Sequence, residues 1–165
     1  ERFSMVVASN TFLPTGEFPI PDSFKNWLEF SQNTPNFNIG KIIQSGSATT
    51  LSEEEIAAYD APFPTEEYKE GARIFPALVP ITVDNPEAGK NKEAWMKLSQ
   101  WKKPFLTIFG SKDEITKGSH KIFKSIVPGT KDQNHTILEA GHFIQEDKGE
   151  ELAELIINFY KNNIS

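Results

Sequence analysis

Residues 105–109 read Phe-Leu-Thr-Ile-Phe and lie between Pro104 and Gly110. Short, nearly continuous apolar runs bounded by proline or glycine are typical of strands that are buried on both faces of a parallel sheet. Two more runs of this kind are Phe-Ser-Met-Val-Val-Ala at 3–8 and Thr-Ile-Leu at 136–138. None of them shows a clean apolar and polar alternation, so we predict three parallel strands.

Helical patterns follow the second and the third predicted strand. An apolar stripe at 122–127 stops at Pro128, and a second stripe at 152–159 has the spacing of an amphipathic helix. A strand–helix–strand–helix order requires right-handed parallel crossovers. The fold class predicted from the sequence is therefore α/β.

The long stretch between the first two predicted strands has a different character. It is rich in proline and has no convincing strand. Its helical patterns are an apolar stripe after Asp22-Ser23, a capping box at Ser52–Glu55, a segment that starts at Thr65 and a stripe at 94–101. Because such a block is too long for one crossover, we expect a core strand at 1–13, a helical cap at 14–103 and a C-terminal core part at 104–165.

Three strands leave the predicted sheet incomplete, because the first would present an unpaired apolar edge, which natural proteins avoid. The sequence starts at Glu1 without the basic, apolar and small segments of a signal peptide. We therefore expect the remaining strands to come from a portion that precedes Glu1 or from a separate segment.

Composition excludes several classes of function. The 165 residues are 38% hydrophobic and 24% charged, with a net charge of −6 and scattered basic residues, which argues against a nucleic-acid surface. No apolar run approaches the roughly 18 residues of a membrane span. The absence of cysteine excludes disulfides, thiolate metal sites and cysteine nucleophiles. The charge and the lack of an export signal favour the cytoplasm.

Chemistry is expected at the carboxyl ends of the strands, where open α/β sheets bind ligands. Asp113 follows the second strand, and His142 comes 29 positions later, after the third. An acid followed by a histidine in this arrangement is the order of the last two members of an α/β-hydrolase triad. His142 would take a proton, and Asp113 would fix its tautomer and stabilise the imidazolium.

Other interpretations of these residues remain open. Asp113 could cap the next helix and have no other role, and Glu114 is a second carboxylate nearby. His142 could be a hydrogen-bonded core histidine. His120 and His135 are poorer candidates, because one falls in a polar helix start and the other at the entry end of its strand. No metal-ligand spacing and no glycine-rich phosphate turn occurs, so no metal or cofactor is expected.

A hydrolase triad also needs a nucleophile. Neither G-x-S-x-G nor G-x-D-x-G occurs in the sequence. Because the nucleophile precedes the acid in the hydrolase order, we expect it upstream of Glu1.

Several motifs together resemble the C-terminal half of the haloalkane dehalogenases, α/β-hydrolases with a helical cap. The resemblance covers essentially the full chain. The motifs that carry it are Ser-Asn-Thr-Phe-Leu-Pro-Thr-Gly at 9–16, Ala-Tyr-Asp-Ala-Pro-Phe-Pro at 58–64, the segments 68–73, 75–80 and 105–116, and Ala-Gly-His-Phe-Ile-Gln-Glu-Asp at 140–147.

The resemblance implies hydrolysis of a carbon–halogen bond without a cofactor. An aspartate displaces the halide to give an alkyl ester, and a water activated by histidine then hydrolyses the ester. His142 would be the base, Asp113 its partner and Trp27 one of two indole donors to the halide. The family's pocket-lining positions match Phe24, Val79, Ile115 and Phe143.

Packing roles compete with these implied roles. Trp27 could be a core aromatic on the stripe that contains Phe24 and Leu28, and large apolar residues usually only pack. Trp95 and Trp101 fit the packing stripe of their own helix, and we expect both in the core.

Two further functions remain open. One is an epoxide hydrolase, which shares the fold and uses cap tyrosines; the tyrosines here are Tyr59, Tyr68 and Tyr160. The other is a non-catalytic module that pairs with a complementary chain through its sheet edge. In the leading hypothesis the partners are a haloalkane, a halide ion and the missing N-terminal half, with no nucleic acid and no membrane.

Overall fold

The computed structural model describes residues 2–164. Glu1 and Ser165, the outermost residues of the first and last expected segments, lie outside the described residues.

A three-stranded parallel sheet forms the centre of the fold. Its strands are β1 (Val6–Ser9), β2 (Phe105–Gly110) and β3 (Thr136–Leu138), in the spatial order β1-β2-β3. Val6 pairs with Phe105 and Ile108 with Thr136, in parallel register. Every residue of β2 is buried, as expected for a central strand. The predicted parallel α/β class is confirmed.

The first strand begins later than the sequence pattern indicated. The prediction placed it at 3–8, whereas pairing starts at Val6, whose N–H donates to the Pro104 carbonyl at 3.0 Å. Phe3 is 67% exposed and lies outside the ladder. An apolar run therefore extended the predicted strand beyond the residues that have a pairing partner.

Residues 2–164 contain seven α-helices. They are α1 (Asp22–Asn33), α2 (Ile39–Gly46), α3 (Glu53–Asp60), α4 (Glu70–Ile74), α5 (Pro86–Leu98), α6 (Ser119–Ile126) and α7 (Ile144–Asn163). Short 3-10 turns occupy Glu66–Lys69, Phe75–Leu78 and Pro128–Thr130. None of the described helices is long and apolar enough to cross a bilayer.

Of the two predicted helix caps at Asp22-Ser23 and Ser52–Glu55, the structure has only the second. Ser52 and Glu55 form the predicted capping box, each side chain bonding the other's backbone N–H. The predicted cap of α1 at Asp22-Ser23 is wrong, because Pro21 occupies the N-cap and the Ser23 hydroxyl donates to the Glu114 carbonyl at 2.6 Å. Pro21 suits this position because it has no N–H to satisfy.

One other helical prediction needs correction, and one helix was missed. Thr65 precedes a 3-10 turn without a side-chain cap bond, so the helix expected towards Phe75 is divided into turns and the short α4. Helix α2 was not predicted; Asn38 begins it by accepting the Lys41 N–H at 2.7 Å.

The segment between β1 and β2 contains helices and turns but no strand among its described residues, in agreement with an inserted helical cap.

The sheet itself is covered on both faces. One cluster joins β2 and β3 to α7, through Leu106, Ile108, Leu138, Ala140, Ile144 and Phe159. The other joins β1 and β2 to α5 and α6, through Ala8, Phe105, Phe109, Phe123 and Val127. Trp95 and Trp101 pack against this second cluster, as expected. Each fully buried large apolar side chain contributes about 1.5–3 kcal/mol.

His135, at the entry to β3, is held as a neutral imidazole by its neighbours. Its Nδ1 accepts the Thr107 N–H at 3.0 Å, and its Nε2–H donates to the Thr130 carbonyl at 2.9 Å. Burial lowers its pKa below the ordinary value. Protonation at Nδ1 would place a donor against the Thr107 N–H, which favours the neutral form.

This neutral histidine predicts a loss of stability in mild acid. A histidine whose folded pKa is lowered stabilises fully above its unfolded pKa of about 6.5, and the contribution falls as the pH drops through that value. We expect the free energy of unfolding to decrease between about pH 7 and pH 5, and to decrease less in His135→Gln. Urea unfolding at several pH values measures this, with pH 8 as the reference. Equal slopes in both proteins would contradict the assignment.

Candidate functional site

Asp113 and His142 lie at the carboxyl ends of β2 and β3, as the sequence predicted. The His142 Nδ1 is 3.1 Å from the Asp113 Oδ1. The Asp113 side chain is only 1% exposed, whereas that of His142 is 32% exposed. The carboxylate is thus shielded behind an imidazole that still reaches the surface of the site.

Asp113 is held as an anion by its surroundings. Its Oδ1 also accepts the Ile115 N–H at 2.9 Å, and its Oδ2 accepts the Thr116 hydroxyl. Burial by itself would raise the pKa of Asp113, but the hydrogen bonds from His142 and Thr116 outweigh it, so the pKa lies below its usual value. A carboxylate can only accept, so Nδ1 of His142 is the donor to Asp113, and Nε2 is the acceptor of the neutral imidazole.

Asp113 is not the N-cap of the helix that follows it. Helix α6 begins at Ser119 with Gly118 at its N-cap, so Asp113 does not cap it. Its carboxylate instead closes the turn at 115–116. Glu114, the second nearby carboxylate, is exposed and pairs with Lys117 at 2.8 Å.

Asn10, the residue after β1, connects the loops that carry the acid and the base. Its Oδ1 accepts the Gly110 N–H at 2.7 Å, and its Nδ2 donates to the carbonyls of Gly141 and His142, both at 2.8 Å. Its φ of 39° is in the left-handed region, which asparagine tolerates better than most residues. In the sequence, Asn10 stands out only as part of the 9–16 motif. An asparagine directly after a buried strand, at the same sheet edge as Asp113, was the signal available.

A segment of the expected cap holds the His142 main chain. The N–H groups of His142 and Phe143 donate to the Gly46 carbonyl at 2.7 Å and 3.3 Å. The Phe143 ring meets the imidazole edge-on, with centroids 5.3 Å apart. A Cβ on Gly141 would lie 2.3 Å from the Gly46 carbonyl oxygen, so this close approach requires glycine.

Trp27 lies on α1 in an aromatic cluster. Its ring stacks near Phe30 and Phe37, with centroids 6.1 Å and 5.8 Å apart. The residue is half-buried, so packing and ligand contact are both compatible with its position. Helix α1 is tied to the loop after Asp113 by the bond from Ser23 to Glu114. Trp95, in contrast, uses its indole N–H for the Leu13 carbonyl at 2.7 Å.

The four predicted pocket residues are half-buried, and one of them lines a large groove. A groove of about 700 Å³ runs between the 12–21 segment, α5 and α6, and Ile115 is part of its wall. Among the described residues that line it, Phe24, Val79 and Phe143 do not occur. Phe24 lies on α1 and Val79 follows the turn Phe75–Leu78.

The other histidines lie away from this pair. His120 is in the first turn of α6 with its ring 5.7 Å from that of Phe109, and burial lowers its pKa. His135 lies at the opposite end of β3 from His142. Within residues 2–164 no group of three or more histidine, aspartate or glutamate side chains is arranged to hold a metal ion.

Comparison with known proteins gives a consistent set of relatives. No family model matches the sequence. The chain is 50% identical over 164 residues to a haloalkane dehalogenase of Psychrobacter cryohalolentis, covering 99% of the chain and 54% of that protein. It is 40% identical over 159 residues to a haloalkane dehalogenase of Mycolicibacterium paratuberculosis, covering 96% and 53%. The chain thus spans about half the length of the curated relatives it matches.

Solved structures agree with this. The tetrameric haloalkane dehalogenase DpaA from Paraglaciecola agarilytica NO2 superposes with a TM-score of 0.81 at 28% identity, over 93% of this chain and 51% of that one. A putative ancestral haloalkane dehalogenase, AncHLD2, superposes with a TM-score of 0.77 at 20% identity, over 96% and 60%, and at this identity it supports the fold alone.

The bonds of Asn10 predict a stability effect. Asn10→Gly keeps the left-handed backbone accessible but leaves the Gly110 N–H and two carbonyls without their partner. We expect the free energy of unfolding to fall by about 2 kcal/mol or more, measured by urea denaturation. Ser9→Ala is the control, because the buried Ser9 hydroxyl has no hydrogen-bond partner among the described residues, and we expect no loss of stability there. Equal stability of Asn10→Gly and the native chain would contradict this account.

Proposed function

We propose that this chain, which corresponds in sequence and fold to the C-terminal part of the haloalkane dehalogenases, takes part in the hydrolysis of carbon–halogen bonds in haloalkanes. In this proposal it supplies the base, the acid, the cap and one halide donor. The overall reaction converts a haloalkane and water into an alcohol, a halide ion and a proton.

The observation that carries the proposal is the pairing of Asp113 with His142 at the ends of adjacent strands. With Nδ1 bound to the carboxylate, Nε2 can take a proton from water as the water oxygen attacks the carbonyl carbon of an alkyl ester. The bond between the carbonyl carbon and the alkoxy oxygen then breaks, which restores the carboxylate of the nucleophile, and the leaving alkoxide takes the proton from the His142 imidazolium to become the alcohol. Asp113 remains ionised and stabilises the imidazolium that forms between these events.

The nucleophile is proposed to be an aspartate upstream of residue 1. Three observations support this: the sequence has no nucleophile elbow, the chain spans about half of its curated relatives, and β1 pairs only with β2 among the described strands. The portion that supplies the nucleophile would also pair with the free edge of β1.

The chain would divide into a core strand at 1–13, a cap at 14–103 and a C-terminal core part at 104–165. The absence of strands between β1 and β2 in the described chain supports this division. Trp27 on α1 would donate its indole N–H to the departing halide, because a donor in an apolar pocket stabilises an anion without a permanent cation. Phe24, Val79, Ile115 and Phe143 would line the pocket around the alkyl group.

The state of the tyrosines favours a dehalogenase over an epoxide hydrolase. An epoxide hydrolase needs cap phenols that donate a proton to the epoxide oxygen. Tyr59 already donates to Glu146, and this hydrogen bond, together with burial, raises the pKa of Tyr59 to about 12. Tyr68 is 64% exposed, and Tyr160 lies on α7, outside the expected cap.

Removal of the imidazole is expected to stop the reaction at the ester. With the His142→Ala chain and the portion that completes the hydrolase domain, a 1-bromoalkane should release about one bromide per site, and turnover should fall about 10³-fold. Intact-mass spectrometry should detect the retained alkyl group. His120→Gln is the control, since His120 lies away from the pair, and it should turn over normally. Full turnover by His142→Ala would contradict the proposed role.

Loss of the Trp27 N–H is expected to weaken halide binding. Trp27→Phe keeps an aromatic ring in the cluster but removes the donor, so inhibition by bromide should weaken about tenfold or more. The control is Phe30→Leu, which alters the same aromatic cluster without removing an N–H. If both variants weaken bromide inhibition equally, Trp27 acts through packing and the donor role is wrong.

A further inference from the structure

The carboxylate of Asp147 lies between two stretches of chain that are far apart in sequence. Its Oδ2 accepts the Gly141 N–H at 2.6 Å and the Ala48 N–H at 2.8 Å. Its Oδ1 accepts the N–H and the hydroxyl of Thr49 at 2.8 Å and 2.7 Å. One side chain therefore bonds both the residue before His142 and the turn after α2.

Asp147 is bound as an anion through neutral donors. Partial burial would raise its pKa, but the hydrogen bonds from Ala48, Thr49 and Gly141 outweigh burial and lower the pKa below its usual value. No lysine or arginine among the described residues forms an ion pair with it, and the neighbouring Lys148 pairs with Glu151 at 3.9 Å. Only N–H and O–H groups bind the carboxylate, and these directional hydrogen bonds fix its orientation.

The same two stretches contact each other next to His142. The Gly46 carbonyl accepts the His142 N–H at 2.7 Å, and a Cβ on Gly46 would lie 2.5 Å from the Phe143 ring. Helix α7 departs from helical geometry at Lys148, so residues 144–147 form a separate first turn. That turn carries Asp147 back towards Gly141.

We infer that Asp147 is a positioning residue for His142: it fixes Gly141, the residue before the base, against the 46–49 segment of the expected cap. The inference rests on the proposed function. His142 acts only in hydrolysis of the ester, so Asp147 supports that step and not formation of the ester.

Asp147→Asn tests this at constant side-chain size. An amide presents one acceptor and one donor, so either Gly141 or Thr49 would face an N–H group. In the protein completed by the nucleophile-bearing portion, we expect single-turnover ester formation to stay within about twofold and ester hydrolysis to slow about tenfold or more. The control is Glu150→Gln, which removes one exposed charge from the same helix and should leave both steps unchanged.

Amide hydrogen exchange gives a second readout that needs no substrate. The amides of Gly141, Ala48 and Thr49 should exchange at least about tenfold faster in Asp147→Asn than in the native protein. If Asp147→Asn does not fold, Thr49→Val, which loses only the hydroxyl bond, should show the same split between the two steps at a smaller size.

The results distinguish failure of the positioning role from failure of the proposed function. Equal slowing of both steps, unchanged hydrolysis or unchanged amide exchange would overturn the positioning role. If the native protein forms no ester at all, the proposed function fails. Faster exchange in Asp147→Asn would even then show that Asp147 holds Gly141 against residues 48 and 49.

Discussion

The hydrogen bond between Asp113 and His142 depends on a carboxylate that is almost completely shielded from water. An ionised side chain is costly to bury unless it is fully hydrogen-bonded. Asp113 meets this condition through the backbone of Ile115, the hydroxyl of Thr116 and the imidazole. The turn after β2 is therefore arranged around the charge, and the orientation of His142 follows from it.

The loops at this end of the sheet are held mainly by backbone hydrogen bonds to side chains from elsewhere in the chain. Asn10 joins the ends of β1 and β2 to the His142 loop, and Asp147 joins that loop to the turn after α2. Both side chains bond peptide groups, whose positions vary less than those of long side chains. A base that must be placed within a fraction of an ångström of its target benefits from such fixed supports.

The residues of the helical segment before β2 are tied to the proposed chemistry by fewer contacts than Asp113 and His142 are. Trp27 stacks in an aromatic cluster, and the groove that contains Ile115 runs along α5 and α6 instead of enclosing Phe24, Val79 and Phe143. The chain spans about half the length of its curated relatives, so these four residues are not expected to form a pocket on their own.

The sequence by itself determined that three parallel strands exist, the capping box at Ser52 and the order of Asp113 and His142, because each depends on neighbouring residues or on where a strand ends. Burial of every residue, which the sequence predicted for all three strands, holds only for β2. The sequence misplaced the start of β1, which depends on a partner strand and not on hydrophobicity. Only the tertiary structure decided the contacts of Asn10, whose partners lie 100 or more positions away, and those of Asp147 with Ala48 and Thr49, which lie 99 and 98 positions away. Such contacts are set by how closely glycine-containing loops approach one another, and no local pattern encodes that distance.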